Sequence, residues 1–185
     1  MNNVNIFNEM GDLIPSKKQI KYCPNCGNKL ENNNENYQKC DNCNYIHYIN
    51  PSPAVSILIK DGNKVLLGKR NGKIKNNLWC LPCGFIDFGE DYIAAGVREV
   101  KEETGVDVKI TKIINVAFNY INPNLNTVVM VLLGECTGGE IKAGDDISEV
   151  KRFDYDALPE MAFQADSHII EYNFTHPDKG IEVMG

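Results

Sequence analysis

An α/β domain with a small cysteine-rich module ahead of it is the fold class predicted by the sequence, on three observations. Ala54-Val55-Ser56-Ile57-Leu58-Ile59 is an apolar, β-branched run of the length of a buried strand. Asp91 to Thr104 carries helical periodicity and is closed by Gly105 in the position of a C-terminal cap. Two C-x-x-C pairs, Cys23/Cys26 and Cys40/Cys43, stand a short polar linker apart.

Composition bounds the function classes. At 185 residues, 43% hydrophobic and 24% charged, the chain has room for one full core and a small appendage. No apolar run reaches membrane-spanning length, and Met1–Glu9 lacks the basic and apolar regions of a signal peptide. A cytoplasmic protein without membrane contact is therefore expected. The net charge of −6 argues against a general nucleic-acid binder, though an acidic enzyme can still hold phosphates through a divalent cation. Seven cysteines in such a setting point to metal ligands or free thiols rather than disulfides.

Taken in order, the chain divides into an arm (residues 1–19), a ribbon (20–50) and a main domain (51–185). The arm, with scattered apolar positions Val4, Ile6, Phe7, Leu13 and Ile14, reads as a flexible segment or a docking strand. In the ribbon, four thiolates from Cys23, Cys26, Cys40 and Cys43 can converge as the tetrahedron of a structural Zn²⁺ site, with Gly27 relieving the first turn. Iron in the same ligands, or redox dithiols, are the alternatives; His47 reads as an ordinary packing or surface residue because four cysteines complete the site. So small a segment buries little core, so metal binding would supply much of its folding energy.

Asn50-Pro51-Ser52-Pro53 links the two modules. The strand at 54–59 turns at Asp61-Gly62-Asn63 into a partner, Lys64–Gly68, from whose end Lys69 and Arg70 emerge. An arginine at a strand end offers a bidentate fork for phosphate, against the plainer reading of a solvated terminus. Cys80 and Cys83 form a third C-x-x-C by letter and are expected to pack, since an isolated pair cannot complete a metal tetrahedron. Val108–Ile121 and Thr127–Glu135 alternate as strands around a turn at Asn122-Pro123-Asn124. Gly138-Gly139-Glu140 opens a further turn into an acidic loop, Asp145 to Glu149. A short strand (Val150–Phe153), a helical turn (Asp154–Leu158) and a terminal helix (Phe163–Phe174) follow.

The chemistry concentrates between Gly84 and Val106, which read Gly-x5-Glu90-x7-Arg98-Glu99-Val100-x-Glu102-Glu103-x-Gly105-Val106. At about 100° per residue, Ile93, Val97, Val100 and Thr104 form the expected buried stripe, with Glu99, Glu102 and Glu103 roughly opposite. Gly96 lies near the carboxylate face and leaves room for an approach. A solvated acidic face is the plain reading. Against it, Glu99 and Glu103 are a like-charge pair four residues apart, with Asp107 one turn on, which is unfavourable without a cation. Hard oxygen ligands on a rigid helix suit Mg²⁺ or Mn²⁺.

This run resembles the Nudix box at every fixed position. The resemblance implies an α/β/α sandwich with a mixed sheet and hydrolysis of the diphosphate bond in a nucleoside diphosphate linked to another moiety. It implies that Glu99, Glu102 and Glu103 bind the catalytic metal together with the backbone carbonyl of Cys83. Arg98 would orient the carboxylates, Glu90 would support them, and Arg70 would touch substrate. The general base varies across the superfamily between a helix glutamate and a later residue; Glu149, with Asp146 close by, is the later candidate. A four-cysteine ribbon ahead of such a domain resembles two groups: the NADH pyrophosphatases, which also act on NAD-capped RNA, and zinc-ribbon proteins tied to ADP-ribose and FAD. The first carries Ser-Gln-Pro-Trp after the box, where this chain reads Asn119-Tyr120-Ile121-Asn122-Pro123. The stretch Pro159-Glu160-Met161-Ala162-Phe163 and the position of Pro123 resemble the second. ADP-ribose or FAD is therefore the expected substrate, with release of AMP. NADH or NAD-capped RNA hydrolysis and a non-catalytic ligand-sensing role are the alternatives, and homodimers are frequent among ADP-ribose-cleaving relatives.

Overall fold

The computed structural model describes residues 19–31, 36–122 and 125–183. The arm apart from its last residue, part of the ribbon linker, and Pro123-Asn124 of the expected turn lie outside these residues.

Strand β3 (Ser52–Asp61) is the axis of the fold. Its run from Ala54 to Ile59 is buried throughout, as a continuous apolar segment covered on both faces must be. It pairs in parallel with β8 (Leu125–Gly139) from Ser52↔Thr127 to Ile59↔Gly134. Along its other edge it first meets β6 (Cys83–Phe85) and then, through the expected hairpin, β4 (Lys64–Arg70). Between those partners the Ile57 N–H donates to the Pro82 carbonyl at 2.8 Å. The sheet thus splays, and β4 carries its own antiparallel neighbours, β5 (Trp79–Cys80) and β9 (Ile147–Asp154). On the far side β7 (Val106–Asn122) pairs with β8, and β10 (Ile181–Glu182) closes that edge. The result is a mixed eight-stranded sheet.

Helices cover both faces. Helix α1 (Tyr92–Thr104) packs against Val55, Ile57, Leu132 and Ile110. Helix α2 (Gln164–Thr175) places Ala165 and Ile169 on the opposite face, against Ala54, Val129 and Val131. The α/β/α sandwich expected from the sequence is the architecture observed. The ribbon's own strands, β1 (Tyr37–Lys39) and β2 (Ile46–Tyr48), pair with each other.

Three expectations are corrected. Val97 is exposed, and α1 buries Ala95, Gly96, Glu99, Val100, Glu103 and Thr104 instead, so its inward face runs through two glutamates. The space beside Gly96 is taken by the sheet: an added Cβ would stand 3.0 Å from Leu132 Cδ1. Gly138 and Gly139 belong to β8, and β9 begins at Ile147 rather than Val150, which moves Glu149 from a loop into a strand.

The ends of α1 are set locally. Asp91 Oδ1 accepts from the Ile93 and Ala94 N–H groups at 2.8 and 2.9 Å, the pattern of an N-cap. Gly105 closes the helix in the left-handed region, φ 73°, and a Cβ there would stand 2.4 Å from the Glu140 carbonyl oxygen. Gly105→Ala therefore meets both backbone strain and a backbone clash. It should lower unfolding free energy by about 1–3 kcal/mol in a urea titration.

Candidate functional site

Helix α1, strand β6 and the loop between them form one hydrogen-bonded unit around Arg98. Its Nε and Nη2 donate to the two oxygens of Glu90 at 2.9 and 2.8 Å. Nη1 donates to Glu99 Oε1 at 2.7 Å and Glu102 Oε2 at 3.1 Å, and Nη2 also reaches the Phe85 carbonyl at 3.0 Å. Glu90 accepts in addition from the Asp87 N–H at 3.1 Å. The Arg98 guanidinium, and then that N–H, hold the Glu90 carboxyl down at about 2.

The two buried glutamates are positioned by strand β6. Glu99 is 8% exposed and sits where a side chain at Gly84 would be, since a Cβ there would lie 2.0 Å from its Cδ. Glu103, 2% exposed, accepts from the Cys83 N–H at 2.9 Å. Burial pushes both carboxyls up, Glu103 to about 10 with the Cys83 thiol contributing next. For Glu99 the Arg98 charge opposes that rise. Among the described residues Glu103 has no ion pair, so an acidic pocket holds a buried carboxyl without a cation. Removing such a charge from water is costly unless a cation compensates it.

These groups open onto a cavity of about 360 Å³. Its acidic end is lined by Glu99, Glu103, Cys83 and Gly84, joined by Asp145 and Asp146. The latter two arrive on a loop fastened to the end of α1. Lys142 N–H donates to the Thr104 carbonyl at 2.9 Å and Gly144 N–H to the Glu103 carbonyl at 3.1 Å. Arg70 also lines the cavity, with Nη2 3.4 Å from Asp146 Oδ2 and its guanidinium 5.7 Å from the Phe163 ring centre. The wall opposite is the sheet face of Ala54, Ser56, Ala117, Asn119, Thr127 and Val129, closed over by Phe163 and α2. Phe163 is held there because the stretch before α2 is zipped to β5: Ala162 N–H donates to the Trp79 carbonyl at 2.7 Å, and Trp79 N–H to Glu160 at 3.1 Å.

Of the expected site residues, Glu99, Glu103, Cys83 and Arg70 share the cavity. Glu90, Arg98 and Glu102 flank it through the Arg98 network, and among the described residues the group of metal-ligating side chains that converges is the four ribbon cysteines. Glu149 does not join them: in β9 it is ion-paired with Lys151 and is absent from the cavity lining. Sequence reasoning missed Asn119, Thr127 and Ser56, which carry no local motif. It expected Cys80 and Cys83 to pack: Cys80 is wholly buried beside Arg70, and Cys83 packs against the cluster of Cys80, Ile147 and Ala162 while also lining the cavity.

In the ribbon the four Sγ atoms of Cys23, Cys26, Cys40 and Cys43 lie within 4.8 Å of one another. Both knuckles are built alike, with Gly27 N–H donating to the Cys23 carbonyl (2.9 Å) and Asn44 N–H to the Cys40 carbonyl (2.8 Å). Such a convergence of four thiols, none of them in a disulfide, fits a tetrahedral metal ion.

Comparison with known proteins places this geometry. A NUDIX domain model matches residues 50–172. The "ADP-ribose pyrophosphatase" of Methanocaldococcus jannaschii is 37% identical over 139 residues, covering 73% of this chain and 80% of its own. The "NAD-capped RNA hydrolase NudC" of Vibrio atlanticus is 29% identical over 149 residues, covering 78% of this chain. The match takes in 53% of that relative, so the chain spans about half its length. The crystal structure of a NUDIX hydrolase from Nitrosomonas europaea superposes with a TM-score of 0.74 at 26% identity, over 88% of this chain and 96% of that one.

Two outcomes follow from the geometry. Gly84→Ala should cost about 1–3 kcal/mol in chemical unfolding by forcing Glu99 from its seat, and Glu99→Ala in the same chain should restore part of that loss. Glu90 is charged in the fold and held below its usual 4.5, so its stabilisation is full above that value and fades as pH falls toward 2. The stability gap between wild type and Glu90→Gln should accordingly be flat from pH 5 to 8 and close between 4.5 and 2, as read by thermal melts.

Proposed function

The chain belongs to the Nudix hydrolase family, and from that premise we propose a divalent-metal-dependent pyrophosphatase that cleaves ADP-ribose or FAD and releases AMP. The observation that carries this reading is the pair of buried glutamates, Glu99 and Glu103, facing a cavity that also holds Arg70. Both are buried, oxygen-only ligands, and among the described residues Glu103 has no ion pair, so the donor set fits Mg²⁺ or Mn²⁺. Glu99, Glu102, Glu103 and the Cys83 carbonyl are the proposed ligands. Such an ion supplies charge neutralisation of diphosphate oxygens and a more acidic water.

The chain's own groups have separable tasks in this proposal. Arg98, tied down by Glu90, fixes the orientation of Glu99 and Glu102 before substrate arrives. Arg70 presents a guanidinium from the cavity wall to a phosphate. Water attacks one phosphorus, the bridging P–O bond breaks, and the departing phosphate carries the electron pair away. The proton taken from that water goes to a box glutamate or to Asp145 or Asp146; these two replace Glu149 as the later-residue candidates because they line the cavity.

The similarity to the M. jannaschii ADP-ribose pyrophosphatase supports ADP-ribose, and that to the NAD-capped RNA hydrolase of V. atlanticus supports a second reading, hydrolysis of NAD-capped RNA. The acidic net charge and the Asn119–Pro123 stretch in place of Ser-Gln-Pro-Trp favour the first. The ribbon (20–50) is proposed to be a structural Zn²⁺ module ahead of a hydrolase domain (51–185), in a cytoplasmic protein. Among the described residues no helix is long and apolar enough to cross a membrane.

Three measurements test these readings. With Mg²⁺, ADP-ribose or FAD should yield AMP at a kcat/KM of about 10⁴ M⁻¹s⁻¹ or more, well ahead of NADH and NAD-capped RNA. The reverse order would overturn the substrate assignment. Glu102→Gln and Glu103→Gln should each lower kcat by roughly 10²-fold or more, and full activity in both would remove them as ligands. Purified protein should carry about one equivalent of zinc, lost in Cys26→Ser and Cys43→Ser by elemental analysis.

A further inference from the structure

Asn119 stands at the end of the cavity remote from the glutamates, and its Oδ1 is buried without a hydrogen-bond partner among the described residues. No other buried side-chain nitrogen or oxygen among those residues is left so. A buried acceptor costs stability unless something donates to it, and one on a cavity wall is placed to meet a ligand's donor. The backbone around it is settled, since Thr127 Oγ1 donates to the Asn119 carbonyl at 3.5 Å across the β7–β8 ladder.

The distance from the acidic end follows from the strand order. Glu99 rests on Gly84 of β6, and β6, β3, β8 and β7 are successive neighbours. Three inter-strand spacings, about 14 Å, separate Gly84 from its register partner Val116, and Asn119 lies three residues further along β7, about 17 Å on the diagonal. That is the reach of an extended nucleoside with its phosphates. Between the ends, Ala54, Val129 and Ala117 lie in register, with Ala165 and Ile169 above them. Small and apolar side chains on both sides make a slot for a flat, uncharged ring. A sugar would leave hydroxyls unpaired on such walls.

We infer that Asn119 is a specificity-determining residue whose side-chain oxygen accepts a hydrogen bond from the exocyclic amine of an adenine lying across Ala54, Val129 and Ala117. The inference rests on the reading of the site as a nucleoside-diphosphate hydrolase and deepens it. It assigns the slot to the adenosine side of the substrate and leaves the variable moiety on the other side of the glutamates. Hypoxanthine presents a carbonyl where adenine has the amine, so it sets two acceptors against each other as long as the amide keeps Oδ1 as its inward atom. A site built around a hydrogen bond discriminates strongly against a ligand that cannot make it.

The test is calorimetric titration of the full chain with AMP and with IMP, in the presence of Mg²⁺. Wild type should bind AMP about tenfold or more tightly than IMP. Asn119→Ala should weaken AMP and leave IMP unchanged, bringing the ratio close to one. Asn119→Asp, which keeps an acceptor and offers no donor, should preserve the preference for AMP. Equal binding of the two nucleotides by wild type, preference for IMP, or no binding of either would overturn the inference. So would an Asn119→Ala variant that weakens both alike, as a merely structural role predicts. These ratios do not depend on turnover: failure to hydrolyse ADP-ribose or FAD would sink the substrate reading while the AMP:IMP ratio still decided the role of Asn119.

Discussion

The Arg98 guanidinium is the interaction on which the arrangement of this site depends. It binds both oxygens of Glu90, one oxygen each of Glu99 and Glu102, and the Phe85 carbonyl. Those partners come from β6, the loop after it and two positions of α1, so one side chain fixes strand, loop and helix together. A planar fork with five donors suits this task, whereas a lysine ammonium would make fewer and less directed bonds. Three carboxyls in so small a volume would otherwise repel one another, and the network holds them in a fixed array.

The fourth carboxylate, Glu103, lies outside that network. Strand β6 receives it through the Cys83 N–H, and the same strand gives Glu99 its place by having no side chain at Gly84. A strand of three residues thereby governs two buried acids. In the proposed reading the protein supplies hard oxygens and low dielectric, and a bound divalent cation supplies the balancing positive charge. Fold and chemistry meet at this point, because the backbone N–H that orders Glu103 belongs to the residue whose carbonyl is proposed to face the same ion.

Much of this was legible in the sequence where the signal was local. The helix ends, read from Asp91 and Gly105, lie within a residue of those found, because capping is decided by a few adjacent atoms. The hairpin at Gly62 and the four-cysteine ribbon were legible for the same reason. Periodicity misled where tertiary packing overrode it. Val97 satisfies the helical stripe yet is exposed, since the sheet meets α1 along Gly96 and the two glutamates. In β7 and β8, register shifts near Asp107, Ile110, Ile113 and Tyr120 reset the alternation, so facing directions could not be counted along the strand. Asn119 lies beyond three of those shifts. Its direction toward the cavity was for that reason invisible, as was the placement of Asp145 and Asp146 by a loop bonded to a helix end.

That loop has a consequence for how the protein can vary. Residues 140–146 connect two strands and lie largely at the surface, where insertions and deletions are usually tolerated. Here the Lys142 and Gly144 amides satisfy carbonyls at the C-terminus of α1, and a Cβ at Gly144 would stand 2.3 Å from the Glu102 carbonyl oxygen. The loop is in effect the cap of the helix that carries the glutamates. A change of a single residue in its length would shift Asp145 and Asp146 relative to Glu103 while leaving the core untouched. Diversification of this enzyme by loop length should therefore be confined to other connections, and this segment should change by substitution alone.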